Sequence, residues 1–138
     1  MTIQYIQRSS KQGINMVRRH RSKKVLIVDD DRKMAECLAD MIEIFDVDYS
    51  TAENGEEAID LLNNDSFHLV IADSRMPKIS GFTLLKYVKQ NHPDTRVAIV
   101  STRNSEMTQS LAVRDKADFY LPRPFKTKDL ESILDKIG

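Results

Sequence analysis

Two short apolar runs in this chain end in carboxylates. Residues 24–31, KVLIVDDD, finish on Asp29, Asp30 and Asp31, and residues 67–73, FHLVIAD, finish on Asp73. An apolar run of this length, rich in Val and Ile and bounded by polar residues, reads as a strand buried on both faces. The acids therefore stand at strand ends. Adjacent carboxylates repel one another, so a fold that gathers them needs a cation or basic side chains beside them. Two further runs end in complementary groups: RVAIV stops at Ser101, and residues 118–121 lead to Arg123. Carboxylates, a hydroxyl and a guanidinium form a coherent set. A hard divalent cation such as magnesium takes carboxylate, water and phosphate oxygens, and one of the carboxylates can serve as nucleophile in phosphoryl transfer.

The elements that must position these groups follow from periodicity. Met34, Leu38, Met41, Ile42 and Phe45 recur at helical spacing and predict a helix over about residues 32–44. Residues 46–52 alternate weakly as a second strand, and Asn54-Gly55 opens a helix carrying Ala58, Ile59, Leu61 and Leu62. After the strand that ends at Asp73 come a loop with Pro77 and Gly81 and a helix over about 82–91. A fourth strand over 96–100, a helix over about 105–114, a fifth strand over 118–121 and a final helix with Leu130, Ile133, Leu134 and Ile137 complete the pattern. Strict alternation of five strands with five helices predicts an α/β domain with a doubly wound, five-stranded parallel sheet covered on both sides. In such sheets ligands bind beyond the carboxyl ends of the strands.

Composition agrees with one such domain. The chain has 138 residues, 41% hydrophobic and 30% charged, which is apolar enough for a core. No run is long enough to span a membrane, and no apolar stretch follows the N-terminal basic residues, so a cytoplasmic location is expected. Charge is uneven: residues 1–24 hold 7 of the 21 basic residues and no acid, leaving 14 basic against 21 acidic beyond. This separates a basic tail, residues 1–23, from a domain over residues 24–138. The tail is read as a flexible extension in preference to a dedicated contact with nucleic acid, anionic lipid or an acidic partner. Cys37, alone in the chain, is expected as a small core residue, and Met34, Met41 and Met107 as core on apolar helix faces. His20, His68 and His92 share no ligand spacing.

The combination of VDD at the first strand, ADSRMP with a glycine four residues past the proline, VST at the fourth strand and YLPRPF before the last helix resembles the CheY-like receiver domains of two-component response regulators. The resemblance implies a (βα)5 flavodoxin-like fold with strand order 2-1-3-4-5. It implies Asp73 as the phosphoacceptor, and magnesium held by Asp30, Asp73 and the backbone carbonyl of Arg75, with Asp29 acting through water. It further implies Ser101 as the hydroxyl that binds the phosphoryl group and Tyr120 as the aromatic that turns inward with it. That change would alter the face built from the fourth helix, fifth strand and fifth helix. Asp31 falls outside the pocket, and an N-cap role suits it. Pro124 is expected to follow a cis bond.

Some positions depart from the family. Arg123 stands where a lysine is usual, and a planar fork is not equivalent to a compact ammonium. It either binds phosphoryl oxygens or pairs with Asp73 in the resting state. Thr102 stands where Ala or Gly is usual and narrows access, while Lys116 replaces a usual glycine. Arg75 and Arg103 flank the pocket mouth, where they would offset the carboxylates. The expected function is a stand-alone receiver, a signalling domain and not an enzyme beyond self-catalysed phosphorylation and dephosphorylation. Its partners would be a sensor histidine kinase or phosphotransfer protein and a downstream protein target. The alternative is a degenerate receiver that acts as an interaction module without efficient phosphorylation. A nucleotide- or flavin-binding enzyme is disfavoured, because carboxylates stand where a glycine-rich phosphate loop would follow the first strand.

Overall fold

The computed structural model describes residues 3–6, 15–18, 23–101 and 106–137. Ile3–Ile6 (β1) and Asn15–Arg18 (β2) pair antiparallel, with Ile3 opposite Arg18 and Ile6 opposite Asn15. The stretch read as a flexible tail thus contains a two-stranded sheet. The other elements alternate: β3 (Lys24–Val28), α1 (Arg32–Ile44), β4 (Asp48–Ala52), α2 (Gly55–Asn64), β5 (Leu69–Asp73) and α3 (Gly81–Asn91). They continue with β6 (Arg96–Ser101), α4 (Glu106–Arg114), β7 (Phe119–Pro122) and α5 (Thr127–Lys136). The five strands from Lys24 onward form one parallel sheet in the order β4-β3-β5-β6-β7, which is 2-1-3-4-5 counted from β3. The expected fold is the one observed.

The sheet divides the core into two by the period of the strand. Val25 and Ile27 of β3, Leu69 and Ile71 of β5, and Ala98 and Val100 of β6 point to one side, where they meet Leu38 and Ile42 of α1 and Leu130, Ile133 and Leu134 of α5. Their neighbours Leu26, Val28, Val70, Ala72, Val97 and Ile99 point to the other, against Ala58 and Leu62 of α2 and Leu84, Leu85 and Val88 of α3. Burial of both faces explains why these strands read as unbroken apolar runs. Each such Leu or Ile contributes roughly 1.5–3 kcal/mol through burial.

Local signals set the helix starts. Asp31 caps α1, its carboxylate accepting from the backbone N–H of Lys33 and Met34. Asn54 caps α2 through Glu57 N–H, and Ser80 caps α3 through Thr83 N–H. At the end of α4, Lys116 N–H donates to the Val113 carbonyl and Ala117 N–H to that of Ala112, the paired closure that places the residue at Lys116 in the left-handed region. Lys116 has φ 63° there, a conformation that glycine adopts at less cost than lysine. Lys23, grouped with the tail on charge alone, is buried, and its Nζ donates to the Leu134 carbonyl at the end of α5. It joins the start of β3 to the last helix.

Two core expectations are corrected. Cys37 is exposed. The buried stripe of α1 is Ala35, Leu38, Ala39 and Ile42, and a residue two positions after Ala35 turns about 200° away from it. Met107 is 73% exposed, because α4 buries only Ala112. Met34 and Met41 are half-buried, with Met41 packed against the α1–α5 core.

Candidate functional site

The chain reverses direction across the sheet between β3 and β5, so the carboxyl ends of these two neighbouring strands open into one crevice. Asp29 follows β3 directly, its N–H held by the Ala52 carbonyl at 3.1 Å. Asp73 ends β5 opposite Val100. Backbone pairing continues beyond the strands: Ser74 N–H donates to the Val100 carbonyl and Arg123 N–H to the Ser101 carbonyl. These bonds bring the four strand ends into one rim. A close backbone approach supports it from below. A β-carbon on Gly81 would stand 2.2 Å from the Asp73 carbonyl oxygen, so only glycine lets α3 start this near the strand that carries the acid.

Carboxylate oxygens of Asp29, Asp30 and Asp73 all lie within 4.8 Å of one another. Asp29 and Asp73 are buried, at 4% and 6% exposure, while Asp30 is exposed. Asp29 Oδ1 accepts from Asp31 N–H at 2.9 Å, and Asp29 Oδ2 accepts from Arg123 Nη2 at 3.3 Å. Asp73 receives the backbone N–H of Arg75, yet its Oδ1 is buried without a hydrogen-bond partner. Burial raises the Asp73 pKa to about 6, reinforced by the Asp29 charge and opposed by the Arg75 N–H and the Arg123 guanidinium. Burial also raises that of Asp29, against the Asp31 N–H and Arg123.

These features fit a divalent cation. The donors are all carboxylate oxygens, one of them a buried atom with an unused lone pair, and their mutual repulsion is only partly offset by Arg123. Among the described residues this is the one cluster of three or more His, Cys, Asp or Glu side chains that could hold a metal ion.

The remaining candidate residues fall around this cluster. Ser101 is buried at the end of β6, and Tyr120 on β7 is half-buried with its hydroxyl enclosed and without a partner. Its ring packs against the α2–α3 core. Arg75 contributes its backbone, while its side chain is exposed. Thr102 and Arg103 lie outside the described residues. Asp31 serves α1 as the helix cap, and the Arg123–Pro124 peptide is cis. Of the two roles considered for Arg123, the resting-state pair is made with Asp29 and not with Asp73.

Sequence reasoning passed over the loop after β4. Glu53, Asn54 and Glu56 line a cleft of about 290 Å³ with Asp30 and with Pro77 and Lys78 from the loop after β5. The rule that led to the other strand ends applies equally to β4, whose carboxyl end is followed directly by Glu53 and Asn54.

A doubly wound parallel sheet with an acidic cluster at its switch point defines an α/β domain with a candidate cation site at the carboxyl ends of its strands. The chain belongs to the response regulator receiver domain family, whose model matches residues 25–135. Over 107 residues it is 39% identical to the transcriptional regulatory protein CpxR of Escherichia coli (strain K12), an alignment covering 78% of this chain and 45% of that protein. It is 29% identical over 107 residues to the response regulator MprA of Mycolicibacterium vanbaalenii, covering 46% of the latter. The chain thus spans about half the length of these relatives. Among solved structures, the Francisella response regulator 1452 receiver domain superposes with TM-score 0.76 at 30% identity, covering 83% of this chain and 95% of that one. TrrA of Thermotoga maritima, solved with Mg2+-BeF, gives TM-score 0.76 at 27% identity, covering 84% and 99%. Receiver domains are signalling domains, and no helix among the described residues is long and apolar enough to cross a membrane.

Proposed function

We propose that this domain is a phospho-accepting switch in which Asp73 is the nucleophile. A carboxylate oxygen of Asp73 forms a bond to phosphorus while the bond from phosphorus to the donor breaks, leaving its electron pair on a kinase or phosphotransfer histidine nitrogen. One observation carries this reading: Asp73 Oδ1 is buried without a partner among carboxylate oxygens that all lie within 4.8 Å. Such an oxygen has an unused lone pair available to a cation or a phosphoryl group. Magnesium held by Asp30, Asp73 and the Arg75 carbonyl, with Asp29 acting through water, would supply charge neutralisation for the phosphoryl oxygens. With a pKa of about 6, Asp73 is mostly ionised at neutral pH and more basic than a solvated aspartate.

Ser101 then donates its hydroxyl to the phosphoryl group, and the half-buried Tyr120 follows it, shifting the face of α4, β7 and α5 toward the form that a downstream protein binds. This is a bias on two packed arrangements. Incubation with magnesium and acetyl phosphate, or with a beryllium fluoride mimic, gives an adduct that Asp73→Asn loses. No adduct and no magnesium binding would sink the reading. A degenerate receiver that binds partners without phosphorylation is favoured by a single observation, the Arg123–Asp29 pair, which occupies a carboxylate the cation would use.

A further inference from the structure

The stripe of α1 that lies next to its buried face carries sulfur. At about 100° per residue, Met34, Cys37 and Met41 fall within about 60° of one another, beside the buried stripe of Ala35, Leu38, Ala39 and Ile42 and not within it. Cys37 stands one turn from each methionine, three residues after Met34 and four before Met41, the spacing at which helical side chains are neighbours. Cys37 is exposed and both methionines are half-buried. All three line one apolar cavity of about 380 Å³, which Leu38 and, from the loop between β7 and α5, Pro124 and Phe125 also line. Among its described lining residues there is no carboxylate and no imidazole.

A thiol and two thioethers in one apolar space are soft donors. Carboxylate, carbonyl and water oxygens suit magnesium and calcium, whereas thiolate and thioether sulfur select cuprous copper. Zinc takes Cys, His and carboxylate ligands, so two thioethers with one thiol suit it poorly. Charge points the same way. A cuprous ion on one thiolate is neutral, while a divalent ion there would leave a net positive charge near the Arg123 guanidinium, which borders the cavity. Methionine is unbranched with three rotatable bonds, so both thioethers can swing toward a metal held at Cys37 without displacing the helix.

We propose that Met34, Cys37 and Met41 form a cuprous-ion site on α1, with the Cys37 thiolate as the central ligand and the two thioethers completing a three-sulfur shell. On binding, the Cys37 thiol gives its proton to the buffer as the sulfur–copper bond forms, and the copper stays in its +1 state, so no electron is transferred. The site uses none of the carboxylates of the acidic cluster, and the softness of its ligands sets its metal apart from any held there.

The test uses the full chain, with copper supplied as Cu(I) under ascorbate in competition with a colorimetric Cu(I) chelator. The unmodified protein is expected to withdraw a single equivalent. Cys37→Ser is expected to lower the affinity on the order of 100-fold, and Met34→Leu combined with Met41→Leu, which keeps the apolar volume and removes both thioethers, on the order of tenfold. Met107→Leu, at an exposed methionine on α4, is expected to leave the affinity within about twofold of the parent. X-ray absorption of the loaded protein is expected to show sulfur neighbours only. Failure to take Cu(I) from the chelator would overturn the proposal. A double methionine variant that binds as tightly as the parent would also overturn it, because a lone thiol would then account for the copper. Oxygen or nitrogen neighbours in the absorption spectrum would overturn the three-sulfur shell.

Discussion

Arg123 Nη2 and Asp29 Oδ2 lie 3.3 Å apart although 94 residues separate them in the chain. The bond links the residues that directly follow the first and last strands counted from Lys24, and it places the guanidinium against the acidic cluster. Asp73, beside the pair, keeps a buried oxygen without a partner. The site is therefore under electrostatic tension that pH, metal and substitution each relieve in a distinct way.

Asp73 titrates in the folded protein near pH 6, against 3.8 for an ordinary aspartate. A carboxyl whose folded pKa is raised binds more protons folded than unfolded, so its stabilising contribution is full below about pH 4 and lost as pH rises through about 6. Metal-free protein should lose up to about 3 kcal/mol across this window, at 1.36 kcal/mol per pKa unit. Urea titrations in chelator at pH 4 and pH 7.5 measure the loss. Asp73→Asn should flatten it and raise stability at the higher pH.

Gly81→Ala should be severe. The new β-carbon would meet the Asp73 carbonyl oxygen at 2.2 Å and its carbon at 2.9 Å, and both belong to a central strand that cannot retreat. A loss of about 3 kcal/mol is expected from overpacking. Denaturation midpoints check this, and magnesium affinity should fall in the same variant because β5 and the loop after it must separate.

Asp30 and Asp31 are adjacent but should respond in opposite ways. Asp31→Ala removes the cap that accepts from Lys33 and Met34 N–H and should cost about 1 kcal/mol while leaving magnesium affinity nearly unchanged. Asp30→Ala removes an exposed member of the cluster, so magnesium affinity should fall with little change in stability. Calorimetric binding and chemical denaturation on the two variants separate these effects.

Lys116→Gly should stabilise the domain by about 0.5–1 kcal/mol, since relief of the left-handed backbone outweighs the added freedom of the unfolded chain. Its φ of 63° at the end of α4 requires no side chain. Lys116→Ala keeps the β-carbon and should give no such gain, which a pair of thermal melts would show.

Much of this molecule is legible along the chain. KVLIV and FHLVIAD are read as strands buried on both faces and RVAIV as a fourth strand, and β3, β5 and β6 occur there, because burial on both faces leaves an unbroken apolar signal. Helix starts at Asp31, Asn54 and Ser80 depend on residues within three positions of the cap. The exposure of Cys37 and Met107 was not legible. Both lie within helices, and which face of a short helix meets the sheet depends on packing partners distant in sequence.

The amino-acid sequence by itself determined the alternation of strands and helices and the presence of acids, a hydroxyl and an arginine at strand ends, because strand and helix periods are local properties. Tertiary structure alone decided that Arg123 meets Asp29 and not Asp73, that Asp73 is left with a raised pKa and a buried lone pair, and that Gly81 touches the Asp73 backbone. Those facts are distances and dielectric surroundings. They come into being only when strands far apart in the chain are laid side by side.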